Sequence, residues 1–522
     1  PGALSLHHTS PKLSVRGLVE YNLIFVNGVD VSFKVAHGML LEIFNWDLND
    51  IERIDIIRGP GSVTYGPGAI SGIINIITKN AETSKGLSVG AVGNYSYKSL
   101  GGHTGLGYQG ENLSLYGYGS VRYTDGYENA DFFSIHPNTG ASGYINPSEG
   151  EGVMPLFGDN LDKPQLKLHL DANLFKDWRL WARYTNSDQP ALFRQTNVRS
   201  IDGVLPQWFT GQRGIISALE NNSSIRENIT VKSKVSYSSQ EYYDYWITKP
   251  ELHYDKGGFN SPYGAGNIIY EFSESHFLLS SIVNLNLVED KHKYAVGING
   301  YHWMFGPPWG KDKMYLLTHD YQTPDGRYIE DIVADGFNTY TVTFMSEANY
   351  QIHPSFGLLL SARVDKNNYS NIFFSPRIGI MSELNKSNVM KLIFQRSVCS
   401  FNYLNVYRLH LNNIMADPEV LNSFELIYSS MVKGNMLANV STSYNWIEMS
   451  GFVYDPKTIK GKIKPIGDLK YLTLETELKY KTDILSMGLN HSFVKQISWE
   501  NAEGVTAQGI SYSDYNYNGL LS

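Results

Sequence analysis

Residues 165–175 read QLKLHLDANLF. Leu166, Leu168, Leu170, Ala172 and Leu174 share one side of an extended chain, and Lys167, His169, Asp171 and Asn173 share the other. A repeat of two is the side-chain period of a β-strand, and the split predicts a strand with one apolar and one wet face. The rhythm spreads in both directions. In Gly86–Tyr97, Leu87, Val89, Ala91, Tyr95 and Tyr97 alternate with Ser88, Gly90, Asn94 and Ser96. Phe277, Leu279, Val283, Leu285 and Leu287 repeat it, as do Leu472, Leu474, Leu478 and Tyr480 against Tyr471, Thr473, Glu475, Glu477 and Lys479. From Gly86 onward, segments of about ten residues keep this period.

The connections alternate short and long. Tight turns are expected at Gly110–Asn112, Lys176–Asp177, Asn221–Arg226, Glu289–Lys291, Gln351–Ser355, Glu383–Ser387, Val432–Asn435 and Lys481–Asp483. Long polar stretches separate them at Thr124–Lys163, Ser187–Gln212, Glu241–Ser275, Trp303–Asn338, Val398–Leu421 and Asn445–Leu469. Short turns on one rim and long loops on the other are the pattern of a transmembrane β-barrel. Lipid offers no partner to a strand edge, so such a sheet closes on itself. Tyr123, Tyr184, Tyr237, Tyr242, Tyr243, Trp246, Tyr301 and Trp303 fall near strand ends, where an interfacial aromatic girdle is expected. About seventeen strands can be counted, and Tyr515 reads as the start of another. With the opening PGALSLHHTS and the ending NYNGLLS, this predicts a piece of a longer protein lacking both ends.

Composition points the same way. Tyr (36) and Gly (48) are abundant and charged residues make up only 18%, which favours strands over helices. A net charge of −8 supplies no basic field for nucleic acid. The single Cys399 excludes a disulfide framework or a Cys-rich zinc module and is read as a structural thiol. No apolar run is long enough for a transmembrane helix, and no signal peptide is visible.

Residues 1–85 read differently. Short apolar stretches, Leu23–Val26, Ile51–Ile57 and Ile70–Ile77, alternate with glycine turns, as in a small mixed globular unit. Its densest part is Ile51–Lys79, IERIDIIRGPGSVTYGPGAISGIINIITK. Ile51, Ile54, Ile56 and Ile57 are expected in one buried strand, and Ile73, Ile74, Ile76 and Ile77 in a second. Gly59, Gly61, Gly66, Gly68 and Gly72 permit positive φ and close backbone approach between them. Arg53, Arg58, Glu52 and Asp55 are expected to bridge to a polar barrel wall, with a solvated face as the alternative.

This segment resembles the plug domain of TonB-dependent outer-membrane receptors. The family pattern IERIEVxRGPxSxxYGxxAxGGVINIxTK is followed nearly throughout, with Ser71 before Gly72 in place of Gly-Gly. Arg53, Arg58, Gly59, Pro60, Tyr65, Gly66, Gly72 and Asn75 lie within it. Upstream, Val15, Arg16 and Gly17 match the family's IRG strand end, and LIFVNGV at 23–29 matches VLVLxDGV with Asn27 in place of Asp. Downstream, Asn371–Ser400 is similar to the SPR-x-G strand pair and a degenerate FRAP-type element, and Asp417–Tyr428 to a degenerate NPxLxPExxxxYELGY.

The resemblance implies an all-β membrane barrel, antiparallel, with a small α/β plug inserted. The complete family barrel has about 22 strands, of which about 17–18 are expected here. Residues 1–85 would be the plug, its N-terminal part missing, and 86–522 the barrel, its C-terminal strands missing. The implied function is uptake of a scarce ligand, a ferric siderophore first, by energised plug rearrangement. A haem, cobalamin or glycan receptor of the same family, a passive porin or adhesin barrel, and a secreted soluble β-protein are the alternatives. Implied partners are outer-membrane lipid, the TonB-ExbB-ExbD energising complex (its contact segment missing) and a small-molecule ligand. A monomer in the bacterial outer membrane is expected, with no nucleic-acid partner, cofactor or enzymatic activity. In relatives the plug's outward loops touch ligand; they align with Leu18–Asn22 and Ser32–Gly38 and point to Glu20, Tyr21, Phe33 and His37. In haem-uptake relatives a loop His ligates haem, which would make His410 its counterpart.

Other motifs carry less. GLGYQG at 105–110 fits GxGxxG by letter but lacks the strand-then-helix setting and the following acidic residue. Glu149, Glu151, Asp159 and Asp162 lack the spacing of a calcium loop. The His7-His8 pair is read as terminal sequence, and no metal site is expected.

Overall fold

The computed structural model describes residues 4–7, 10–15, 18–19, 22–34, 47–58, 61, 66, 68–70, 72–94, 99–124, 164–190, 207–247, 267–287, 291–316, 335–399, 403–411, 413–432, 434–455 and 460–502. β1 (Leu4–His7), β2 (Ser10–Val15) and β3 (Leu18–Val19) form a small sheet. β4 (Asn22–Val26), β5 (Val29–Asp30), β6 (Ile51–Arg58) and β7 (Gly72–Thr78) form a second, in the order β5-β4-β7-β6. Among the described residues before Gly86 the elements are strands and turns. The β4–β5 turn is Asn27-Gly28, both at positive φ (48° and 72°), the pairing that a tight two-residue hairpin selects.

The barrel strands are β8 (Gly86–Asn94), β9 (Ser99–Gln109), β10 (Leu113–Thr124), β11 (Gln165–Leu174), β12 (Trp178–Pro190), β13 (Gln207–Arg226), β14 (Ile229–Ile247), β15 (Asn267–Leu287) and β16 (His292–Gly306). They continue with β17 (Tyr315–Leu316), β18 (Phe337–His353), β19 (Phe356–Asn367), β20 (Ile372–Asn385), β21 (Asn388–Cys399), β22 (Glu419–Val432), β23 (Met436–Asp455), β24 (Lys460–Lys481) and β25 (Ser486–Asn501). One helix, α1 (Tyr403–Leu411), interrupts the connection from β21 to β22. Each long strand pairs antiparallel with the next, and β25 returns to β8 to close the ring. β17 is a two-residue addition on β15. Direction alternates along the other seventeen, so the closing pair runs parallel.

Burial is inverted relative to a soluble protein. On β11, Leu168 and Leu170 are 47% and 51% exposed, whereas Lys167, His169 and Asp171 are 1%, 3% and 1% exposed. Phe277, Leu279, Ile298, Val342, Phe344, Phe374 and Phe424 are likewise exposed on other strands. An apolar exterior around a polar, filled bore is what hydrocarbon solvent selects. No described helix is long and apolar enough to cross a membrane.

The plug's core lies in its second sheet. Leu23, Phe25, Ala69 and Ile73 pack together, while Ile24, Val26, Val29, Val31 and Ile76 pack on Trp181, Ile216 and Ala218 of the wall. Four expectations need correction. Ile54, Ile56 and Ile57 are exposed, because β6 is the edge of its sheet and is paired only with β7. The turn expected at Asn221–Arg226 is strand, with the reversal at Glu227–Asn228; Asn-Asn-Ser-Ser reads as a turn by composition but pairs as a ladder at a wet barrel rim. Strands also run further into the long connections than expected, β14 to Ile247 and β23 to Asp455. Finally, Tyr242 and Trp303 belong to no lipid girdle. They are buried on the bore side, because even positions of β14 and odd positions of β16 face inward.

Candidate functional site

Two regions join plug to wall. The first is the outward apex. Ser32 Oγ accepts the Ile24 N–H (2.8 Å) and Asp30 Oδ1 accepts the Ser32 N–H (2.9 Å), fixing the turn that projects Phe33 and Lys34. Phe33 is wedged between Tyr242 of β14 and Phe272 of β15, with ring centroids 5.8 and 6.0 Å away. Trp303, Phe305, Met314, Phe337 and Leu404 complete the cluster. Tyr242, Phe272, Trp303, Phe305 and Phe337 are bore-facing positions near strand ends on the side of the long connections, whereas Met314 lies in the connection after β16 and Leu404 on the helix Tyr403–Leu411.

Lys34 ties three bodies together. Its N–H donates to Glu274 Oε2 of the wall (2.7 Å), and its carbonyl accepts the Tyr403 N–H of α1 (2.9 Å). Its ammonium pairs with Asp30 (2.9 Å) and lies 5.4 Å from the Trp303 ring centre. Helix α1 forms because Tyr403, Leu404, Tyr407 and Leu411 recur at helical spacing and pack against the cluster. Arg408 and His410 occupy its last turn, where the helix dipole favours positive charge. Tyr407 stacks on Phe337 at 4.6 Å. Burial raises the Tyr403 and Tyr407 phenols, so both remain protonated at neutral pH.

The second region is an ionic latch. Asp50 is fully buried and pairs with Lys167 of β11 (2.9 Å) and Arg183 of β12. Asp47 accepts from the Tyr118 hydroxyl of β10, and the Lys167 ammonium also donates to the Asp47 carbonyl. Burial alone would raise the Asp50 carboxyl, but Arg183 and Lys167 outweigh it and hold it well below the usual carboxylate range. Asp47 is likewise lowered: burial opposes, and the Tyr118 hydroxyl and Asn49 N–H prevail. Beside the latch, Asn27 bonds Thr78 through both its amide atoms (2.8 and 3.0 Å), and Thr78 Oγ1 lies 3.1 Å from His169 Nε2 of the wall.

The sequence candidates distribute unevenly. Phe33 joins the apical cluster, and His410 is exposed on α1 against Tyr369 at 4.3 Å. Arg53 does not bridge to the wall: its guanidinium pairs with Asp55 at 3.1 Å on the same exposed strand, because β6 is a sheet edge. The bridging is done instead by Asp47 and Asp50. Asn75 Oδ1 accepts the Gly28 N–H (3.1 Å) and so buttresses the β4–β5 turn. Gly72 opens β7 opposite Arg58. Gly66 takes a positive φ of 104°, and a Cβ there would meet Arg363 Nη2 at 3.0 Å. Arg16, Gly17, Glu20, Tyr21, His37, Gly59, Pro60 and Tyr65, and the side chain of Arg58, lie outside the described residues. Sequence reasoning missed Asp47, Asp50, Lys34 and α1. The available signal was charge on the inward faces of β11 and β12, which in a filled bore demands partners.

The comparisons with known proteins fit this geometry. Residues 5–73 match the family described as TonB-dependent Receptor Plug Domain. The ferric enterobactin receptor of Pseudomonas aeruginosa is 32% identical over 210 residues, covering 37% of this chain and 26% of that protein. Residues 5–73 carry the plug domain of the TonB-dependent receptor family. The vitamin B12 transporter BtuB of Vibrio vulnificus is 31% identical over 155 residues, 29% of this chain and 24% of that protein. The match to these curated relatives therefore spans about a quarter of their length. Among solved structures, the siderophore receptor PirA of Pseudomonas aeruginosa has a TM-score of 0.61 at 16% identity, over 93% of this chain and 79% of its own. The FrpB iron transporter of Neisseria meningitidis (F3-3 variant) has a TM-score of 0.66 at 14% identity, over 94% and 74%. At that identity the likeness concerns the plug-in-barrel fold. Among the described residues no group of three or more His, Cys, Asp or Glu could hold a metal ion.

Proposed function

We propose that this receptor takes up a scarce ligand, a ferric siderophore, across the bacterial outer membrane by energised rearrangement of its plug. The observation that carries the reading is the stoppered bore: a folded unit sits inside a polar barrel, fixed by buried charge at the latch and topped by aromatics at the apex. A passive porin needs neither. On this reading residues 1–85 are the plug and 86–522 the barrel of a monomer. The aromatic apex suits a ligand with flat, polarizable faces. Several relatives are named as ferric enterobactin or siderophore receptors, which supports iron as the cargo. Ligand binding above shifts the plug, and the TonB-ExbB-ExbD complex pulls from below. The vitamin B12 transporter relative favours cobalamin as the second reading.

The test is growth of a deletion strain and its complemented parent under iron limitation, with ferric enterobactin or haem as iron source, and cyanocobalamin uptake alongside. Loss of growth on one ferric source, restored by the gene and abolished by a protonophore, is expected. Unchanged growth on every iron source would remove iron. A large constitutive conductance from the intact protein in planar bilayers would remove gated uptake.

A further inference from the structure

At the end of the barrel that carries the short turns, a cavity of about 420 Å³ opens in the inner wall. The described residues that line it all belong to the wall, among them Lys291, Lys293, Asn349, Gln351 and Lys391. Parity turns these side chains into the bore, because odd positions of β16 and of β18 to β21 face inward: Thr343, Arg363 and Ser397 are buried, whereas Phe344, Val364 and Leu392 are exposed. Register then sets them in rows. The Lys291 carbonyl accepts the Gln351 N–H (3.0 Å), Gln351 lies opposite Gly357, Gly357 opposite Met381, and Met381 opposite Lys391. Lys293 faces Asn349 in the next row. Lysines thus stand at both ends of a row that crosses five strands, with a glycine at its middle.

The charge there is not met within the wall. Elsewhere in the bore, cations sit on carboxylates: Arg179 on Asp171, Arg363 on Asp365, Arg377 on Glu347. Lys291 follows Glu289 and Asp290 in the chain, so the unmet charge is that of Lys293 and Lys391, which form no ion pair with any described residue. Glu383 is the one carboxylate among the described lining residues. Unmet positive charge in a concave site gathers anions. Lysine presents a point charge that suits a carboxylate, and no arginine fork lines the cavity to grip phosphate through two bonds. The Asn349 amide is unbonded among the described residues, and Gln351 Nε2 donates to the Pro354 carbonyl (3.2 Å), leaving its Oε1 to accept. Amides that donate and accept match peptide groups. Four steps between strands span about 19 Å along the wall, the length of about six extended residues.

We propose that this cavity docks an extended acidic peptide segment of a periplasmic protein. Its carboxylates rest on Lys293 and Lys391, its backbone on Asn349 and Gln351, and its middle crosses Gly357. The site goes beyond the uptake reading and is the same for any cargo.

The experiment follows the fluorescence anisotropy of a fluorescein-labelled hexaglutamate with the full-length receptor in detergent micelles, and uses labelled hexaglutamine as the uncharged control. Hexaglutamate should bind and hexaglutamine should not. Lys293→Gln combined with Lys391→Gln should weaken binding at least about tenfold. Lys232→Gln combined with Lys481→Gln removes the same charge from the wall outside the cavity and should stay within about twofold of the parent. Gly357→Phe keeps every charge and fills the middle of the row. A Cβ there meets nothing nearer than Met381 Cε at 3.5 Å, so this receptor folds and should lose binding by a similar factor. Heat-modifiable migration checks that each barrel is folded. No anisotropy change up to about 1 mM peptide, an equal loss in the control pair, or parental binding by Gly357→Phe overturns the site. Displacement by inorganic phosphate at or below the concentration of unlabelled hexaglutamate that displaces the probe also overturns it, and assigns the lysines to a free anion. Iron-limited growth is read separately, so failure of the uptake reading leaves the binding result intact.

Discussion

Replacing Asp50 with Asn tests the latch directly. The site holds Asp47 and Asp50 against Lys167 and Arg183, formally neutral and nearly out of water. The substitution leaves it with one uncompensated positive charge. Removing one member of a buried pair costs about 3–5 kcal/mol. Asp47 stays in place and the Asn amide still accepts a hydrogen bond, so the lower end applies. About 3 kcal/mol is roughly a hundredfold shift between seated and unseated plug. Single-channel recording in planar bilayers measures it as the fraction of time a large conductance is open. Adding Lys167→Met removes the surplus cation, and the pair of substitutions should recover at least half of the loss, because a neutral apolar replacement of a buried pair is tolerated. An open fraction within about twofold of the parent for Asp50→Asn alone, or a double variant as leaky as the sum of its parts, would show that the latch does not hold the plug.

Four further outcomes follow from the geometry. Because the Asp50 and Asp47 carboxyls are lowered in the folded protein, their stabilisation is complete above the ordinary value of 3.8 and is lost as pH falls below it. Thermal melting of the plug should thus be flat near neutrality and drop in acid, and Asp50→Asn should blunt the drop; an acid sensitivity unchanged in the variant refutes the assignment. Phe33→Ala removes a ring from between Tyr242 and Phe272 and should destabilise the apex by about 3–5 kcal/mol, read as faster hydrogen exchange of residues 23–34. Gly66→Ala forces an L-residue to a φ of 104° beside Arg363, so a loss of about 1–2 kcal/mol in plug stability is expected; a neutral result would mean that the turn relaxes freely. His410→Ala should leave ferric-siderophore-dependent growth intact, since among the described residues the ring stacks on Tyr369 and Tyr407 at the exposed end of α1; loss of growth would place that imidazole on the ligand.

Parity made the barrel legible. Lys167, His169 and Asp171 were separable from Leu168 and Leu170 by letter alone, because a strand's period is two and the bore is polar. Height was not legible. Tyr242 and Trp303 lie near strand ends, where a girdle is expected, yet their parity turns them inward into the Phe33 cluster. Which wall residue meets which plug residue depends on register and stagger around the ring. That is why Asp50 and Lys167, 117 positions apart, could not be paired from sequence. The plug motif was visible, but its β6 isoleucines misled: an apolar run says nothing of whether its strand is central or at a sheet edge. Helix α1 escaped because nine residues inside a polar connection are too few to establish a period.

The bond between the Tyr403 amide and the Lys34 carbonyl has a thermodynamic corollary. Linkage runs both ways. If cargo resting on the outer helix biases the stopper toward departure, then tension applied from the periplasm must weaken the grip on that cargo by the same free energy. Capture and discharge would then be one equilibrium read from opposite faces of the membrane, with a single lysine backbone as the fulcrum.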